Sequence, residues 1–336
     1  MDDAAGLTEL TPRDVPARVL PVPSTASPQL QASIAAAARL PRNLMQRSPT
    51  TDREWRGFID GANAVSIDRQ AALKAKFPCD IREKEVGGVL VREIIPQGRD
   101  PANDARVLIH LHGGAYVING GEASLSEGIL GAAYSKTRVL SVDYRMPPAA
   151  PYPAAVDDTV AVWKSVIRNH EPKAVGVFGT SAGGGLALAM VLKLKALGLA
   201  LPGAVAPSTP WADLAGESDS YQTNAHVDGV LPYYNGVLEA CARAYAGEAG
   251  LHDPFVSPVH GDYAGFPPSI LTTGTRDILL SDTVRVYRAM RAAGVDARLE
   301  LYEAMSHAEY NACFDSPESA SVFTDIARFF DQHLAR

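Results

Sequence analysis

Gly179-Thr180-Ser181-Ala182-Gly183 restricts the fold of this 336-residue chain more than any other stretch. An apolar, β-rich run over 174–178 leads into it, and a helical pattern of small and apolar residues over 182–197 leads out. A serine between a strand and a helix sits on a sharp turn in strained backbone. The flanking glycines leave room for the two elements to cross, and the hydroxyl stands clear of the sheet. The turn also puts the Ala182 N–H at a helix N-terminus, where unpaired donors and the dipole favour an anion. One short segment thus offers a nucleophile and one oxyanion donor, provided that a base, an acid and further donors exist elsewhere.

The surrounding pattern fits such a turn. Residues 1–27 are proline-rich and polar, which predicts an extended or loosely packed segment. Helical patterns follow over 29–40 and 52–77, closed by Pro41 and Pro78, with a helix-start signal at Ser48-Pro49-Thr50-Thr51. Alternating residues 81–86 and 89–95 flank Gly87-Gly88 and predict a hairpin. Beyond it, strand-like runs at 107–111, 139–142, 174–178, 203–207, 269–273 and 297–302 alternate with helical patterns at 154–167, 182–197, 233–246, 281–293 and 322–334. That alternation predicts an α/β fold, a mostly parallel central sheet with helices on both faces.

Composition narrows the partners. The net charge is −7 and no basic block stands out, which argues against nucleic acid and anionic membranes. The longest apolar stretch, 34–40, is too short to span a bilayer, and no secretory leader is expected from the Met-Asp-Asp opening. Cys79, Cys241 and Cys313 are odd in number and lack Cys-x-x-Cys spacing. Neither a disulfide framework nor a metal site is expected, and a reducing cytoplasm suits them.

In an open α/β sheet, functional groups collect at the carboxyl ends of strands. Four candidates sit there. His112-Gly113-Gly114-Ala115-Tyr116 follows the 107–111 run, and its paired glycines let backbone N–H groups approach a ligand. Ser181 is the second. Asp277 follows the 269–273 run, and His307 follows 297–302. A hydroxyl becomes nucleophilic when an imidazole takes its proton, and the imidazole needs a carboxylate to fix its tautomer. Asp282 competes with Asp277 for that place. Helix capping after Ser281 explains Asp282 without catalysis, and Asp277 lies nearer the strand end. One of His110 and His112 is expected to organise the glycine loop, and His333 to sit as a dipole partner in the last helix. Tyr116, Trp211 and Tyr233 are candidate pocket walls that could equally be core aromatics.

With these residues in place, the chain resembles the bacterial hormone-sensitive-lipase-like esterases of the α/β-hydrolase superfamily. The resemblance spans 81–336. It rests on His112-Gly113-Gly114-Ala115, on Asp143-Tyr144-Arg145 through Asp157-Asp158, and on Gly179-Thr180-Ser181-Ala182-Gly183-Gly184. Ser208-Thr209-Pro210-Trp211-Ala212-Asp213-Leu214, Asp277 and His307 then follow in the family's order. It implies an α/β-hydrolase domain with a small helical cap, built from residues 1–80 and a segment near 210–250. It also implies a serine carboxylesterase acting on short-chain, small-molecule esters through Ser181, His307 and Asp277. Gly113, Gly114 and Ala182 would supply the oxyanion donors, with no metal or cofactor. A homodimer through 297–302 and 322–334 is implied by analogy. Ala115 departs from the family's third glycine, Asp282 is shifted by one position, and Glu309 beside the base is unusual. Glu309 is read as facing solvent. An arylformamidase-type amide hydrolase, a thioesterase, a lactonase or a non-catalytic receptor stays open on the same scaffold.

Overall fold

A computed structural model describes residues 12–336 apart from Arg42 and Leu44, so the first eleven residues of the proline-rich segment and of the implied cap lie outside it. The strands are β1 (Cys79–Val86), β2 (Val89–Pro96), β3 (Val107–Leu111), β4 (Val139–Val142), β5 (Val175–Thr180), β6 (Ala204–Ser208), β7 (Ser269–Gly274) and β8 (Ala297–Tyr302). The helices are α1 (Pro28–Ala37), α2 (Asp52–Lys76), α3 (Leu125–Ser135), α4 (Ala154–Val166), α5 (Ala182–Ala196), α6 (Ser220–Thr223), α7 (Val237–Ala246), α8 (Leu280–Ala292), α9 (Glu309–Ala312) and α10 (Pro317–His333).

The strands form one sheet in the order β1-β2-β4-β3-β5-β6-β7-β8. The β1–β2 hairpin and the β2–β4 pair are antiparallel, and every other pairing is parallel. Side chains on a strand alternate between faces, and β3 shows the consequence. Val107, Ile109 and Leu111 join the core under α4, α5 and α8, while Leu108 joins the core under α3 and α10. The sheet is therefore covered on both sides, which accounts for the near-continuous apolar runs of its central strands. The family fold implied by the sequence is the fold observed.

α5 has no apolar stripe because every residue from Ala182 to Leu192 is buried. α2 begins where the sequence signals it. The Thr51 hydroxyl accepts from the Glu54 N–H at 3.3 Å and the Glu54 carboxylate accepts from the Thr51 N–H, a reciprocal cap contributing about 1 kcal/mol.

α10 begins five residues earlier than expected, at Pro317, α6 was not expected, and two further elements differ from the sequence reading. The helix expected from residue 233 starts at Val237, because Gly236 has φ 107° and breaks the pattern there. α3 was not foreseen. Its Leu-Ser-Glu-Gly-Ile-Leu-Gly-Ala-Ala-Tyr-Ser sequence carries two glycines that weaken the helical signal, and tertiary packing against the sheet overrides them. The carboxyl ends of β3, β5, β7 and β8 deliver Gly113, Ser181, Asp277 and His307 to one edge of the sheet.

Candidate active site

Ser181 joins β5 to α5 with φ 61° and ψ −124°, a conformation that side chains seldom adopt. The turn is held from both sides. The Ser181 N–H donates to Ser208 O at 3.0 Å, and the Ser181 carbonyl accepts from the N–H groups of Gly185 and Trp211, each at 2.9 Å. Gly183 is required by the crossing. A Cβ there would lie 1.9 Å from Leu111 O, so any side chain would lever α5 off β3.

The base side is built from charged and hydroxyl side chains. His307 Nδ1 lies 3.1 Å from Asp277 Oδ1, and both residues are buried. The other Asp277 oxygen accepts from Thr209 Oγ1 and from Thr273 Oγ1, the latter at 3.1 Å, and the Leu279 N–H donates to Oδ1 at 2.8 Å. Thr209 Oγ1 also lies 3.1 Å from His307 Nδ1. Burial alone would lower the imidazole's pKa. The charge and hydrogen bond of Asp277, with Asp228 behind it, outweigh burial and hold His307 above its ordinary value.

Asp282 occupies a different place. Its Oδ2 accepts from the N–H groups of Ala212 at 3.0 Å and Asp213 at 2.8 Å and from the Tyr221 hydroxyl at 3.0 Å. It ties the loop after β6 to the start of α8, and among the described residues the carboxylate that hydrogen-bonds the His307 imidazole is that of Asp277. Glu309 does not face solvent as expected. It is 2% exposed, and its Oε2 accepts from the Ser306 N–H at 2.9 Å, closing the turn that carries His307.

The opposite side is built from backbone. Among the described residues, no group accepts from the N–H of Gly113, Gly114 or Ala182. His112 sets the loop: Nδ1 lies 2.9 Å from Gly113 O, the Tyr144 hydroxyl donates to His112 O at 2.7 Å, and the two rings stack at 4.2 Å. Burial pushes the His112 pKa down to about 4, so the ring is neutral and Nδ1–H is the donor. Drawing the Gly113 carbonyl toward His112 points the Gly114 N–H the other way, because the two are opposed across a trans peptide. Gly114 has φ 121°, and a Cβ on it would lie 2.3 Å from Ile118 O. His110 faces the other core, with Nδ1 2.9 Å from Ser141 Oγ and Nε2 3.2 Å from Glu127 Oε2.

Both sides open on a cavity of about 560 Å³ whose wall includes Gly113, Gly114, Ser181 and His307. Ala37 of α1, Phe58 and Leu73 of α2, and Val230, Leu231 and Leu238 cover it with apolar surface. Tyr116, Trp211 and Tyr233 do not line it. Tyr116 stacks on Tyr245 at 3.6 Å, and Trp211 is fully buried beside it against the start of α5. The Tyr233 hydroxyl accepts from the Met45 N–H at 3.2 Å. Their aromatic rings are spent elsewhere, and aliphatic residues together with Phe58 and Phe314 shape the cavity. Thr209 and Asp228 touch the base or the acid and were not singled out as site residues. Thr209 stood in the sequence only as part of the segment after β6.

Residues 108–311 match the family model described as the alpha/beta hydrolase fold. The chain is 34% identical over 212 residues to an acetyl-hydrolase of Streptomyces hygroscopicus, covering 62% of this chain and 70% of that protein. It is 31% identical over 270 residues to an esterase of Acinetobacter venetianus, covering 78% and 86%. Among solved structures, esterase E25 superposes with a TM-score of 0.93 at 38% identity, covering 96% of this chain and 99% of that one. An esterase from the bacterial hormone-sensitive lipase family superposes at 0.77 with 29% identity, covering 92% and 99%. The sheet order, the strained serine turn and these likenesses agree, and the chain belongs to the α/β-hydrolase fold family, among the bacterial hormone-sensitive-lipase-like esterases.

Proposed function

We propose that this protein is a serine carboxylesterase in which Ser181 is the nucleophile, His307 the base and Asp277 the acid. The observation that carries the reading is the meeting of a strained Ser181 and an Asp277-bonded His307 in the wall of one cavity. His307 Nε2 takes the Ser181 proton as Oγ adds to the ester carbonyl. The N–H groups of Gly113, Gly114 and Ala182 hold the oxyanion, each donor supplying a factor of about a hundred to a thousand. His307 then protonates the departing alcohol. A water molecule gives its proton to His307, adds to the acyl-enzyme and releases the carboxylic acid as the proton returns to Ser181.

The unpaired N–H groups and the neutral His112 support the donor assignment. α1, α2 and the segment from 220 to 246 serve as the cap, since they supply the cavity's apolar cover. That cover and a volume in the range of small-ligand sites favour short acyl esters. β8 ends the sheet with Leu301 52% exposed, which supports pairing of two copies along that edge. The three free cysteines suit a reducing cytoplasm. Purified protein should hydrolyse p-nitrophenyl acetate and butyrate, and Ser181→Ala should abolish that turnover. Hydrolysis that survives the substitution would overturn the assignment.

A further inference from the structure

Asp228 lies in the loop between α6 and α7, is 3% exposed and forms no ion pair with lysine or arginine among the described residues. Its carboxylate accepts four main-chain N–H groups. Oδ1 takes those of Val230 at 2.7 Å and Leu231 at 2.9 Å, which close its own turn. Oδ2 takes those of Ile278 at 2.8 Å and His307 at 3.2 Å. Ile278 follows Asp277, and His307 is the base itself. One oxygen therefore grips the acid loop and the base loop together, from a segment 50 and 79 residues away in sequence.

The neighbours of Asp228 reinforce the grip. Asn224 Nδ2 donates to Asp277 O at 2.8 Å, and the Gly229 N–H donates to Ser306 Oγ at 3.1 Å. Gly229, Val230 and Leu231 line the cavity. The cavity wall and the two loops that carry acid and base are thus one hydrogen-bonded unit, closed through a single carboxylate.

We propose that Asp228 is a positioning residue: from behind the cavity wall, its carboxylate fixes the separation of Asp277 and His307 and lends a second negative charge to the imidazolium. This rests on the triad reading above. Burial and the charge of Asp277 push the Asp228 pKa up to about 7, while His307 and the N–H donors of Leu231 and Ile278 oppose that rise. The ionisable groups facing it are Asp277 from the loop after β7 and His307 from the loop after β8. Asp282, from the start of α8, also acts on His307 through its charge. A buried carboxylate with four donors and no lysine or arginine partner is costly to keep for packing alone. Holding a hydrogen bond that reactions depend on accounts for it, since a misplacement of about 1 Å can cost a hundredfold in rate.

The test is Asp228→Asn in the full chain, with kcat and KM for p-nitrophenyl butyrate measured across pH and the fold checked by thermal unfolding. The amide keeps the shape, loses the charge and turns an NH2 group toward two of the donors. We expect kcat to fall roughly ten- to a hundredfold with KM little changed. The acid limb of the pH profile should move to lower pH, because the imidazolium loses a nearby negative charge. A folded Asp228→Asn protein with parental kcat and an unmoved acid limb overturns the proposal. If that variant does not fold, Asn224→Ala, which removes the neighbouring tie to the Asp277 carbonyl, should lower kcat several-fold at constant KM, and parental kcat there overturns the proposal instead. Ser181→Ala run in parallel separates failure of this proposal from failure of the triad reading, since it alone tests whether that serine carries turnover.

Discussion

The two sides of the cavity are made of different material. On the base side, His307, Asp277, Thr209 and Thr273 are joined side chain to side chain, with Asp228 tying the loops from behind. On the donor side, Gly113 and Gly114 offer bare backbone, steered by a neutral His112. The difference shows how each side tolerates change. A side-chain network can be pruned atom by atom while the fold stands. A backbone site can be altered only by forcing the chain into a new path.

Asp277→Asn should separate the two most sharply. It leaves the donor side intact and removes the partner of His307, so kcat should fall by about ten-thousandfold while the thermal midpoint stays near the parent's. A loss smaller than tenfold would place the acid elsewhere. Gly114→Ala attacks the other side. A φ of 121° and a Cβ 2.3 Å from Ile118 O force the loop to move, so kcat should fall by about a hundred- to a thousandfold and the melting temperature with it. Unchanged stability there would mean the loop is softer than its contacts imply.

The pH profile measures the base side alone. His307 sits above its ordinary value, so kcat/KM should fall as pH drops through a midpoint above 6.5, where the imidazole gains its proton and can no longer accept that of Ser181. A midpoint below 6.5 would show that burial outweighs Asp277. Asp282→Asn should produce the smallest effect on rate, with kcat close to the parent's. Its consequence is in stability. Burial and Asp213 raise the Asp282 pKa from 3.8 to about 7 in the folded chain, so the folded state holds more protons than the unfolded state across that window. Its contribution therefore weakens as pH rises from about 4 to about 7, and the asparagine variant should show a flatter stability profile there.

The sheet was legible because its central strands are buried on both faces and read as unbroken apolar runs, as at 107–111 and 139–142. Ser181, Asp277 and His307 were legible because each follows a strand-like stretch, unbroken and apolar before Ser181 and alternating before His307. What sequence hid was burial and long-range contact. Glu309 looked like an exposed helical residue, yet it closes the His307 turn from inside. Tyr116 and Trp211 could be cavity walls or core aromatics by sequence, and their large rings fill the core beside α5. Asp228 carried at most a turn signal, since its role lies in two N–H groups that only the folded chain brings to it. α3 escaped because Gly128 and Gly131 dilute a helical pattern that its packing restores.

The burial of α5 on every side has a consequence for how this enzyme ages under heat. Ser181 stands at the end of a helix with no wet face, so its turn cannot loosen without dissolving the centre of the molecule. The loop that carries the imidazole, from Ala304 to His307, is buried as well, and Asp228 and Glu309 tie it from inside. Warming should therefore cost activity and fold together, with turnover lost in step with the thermal midpoint rather than ahead of it.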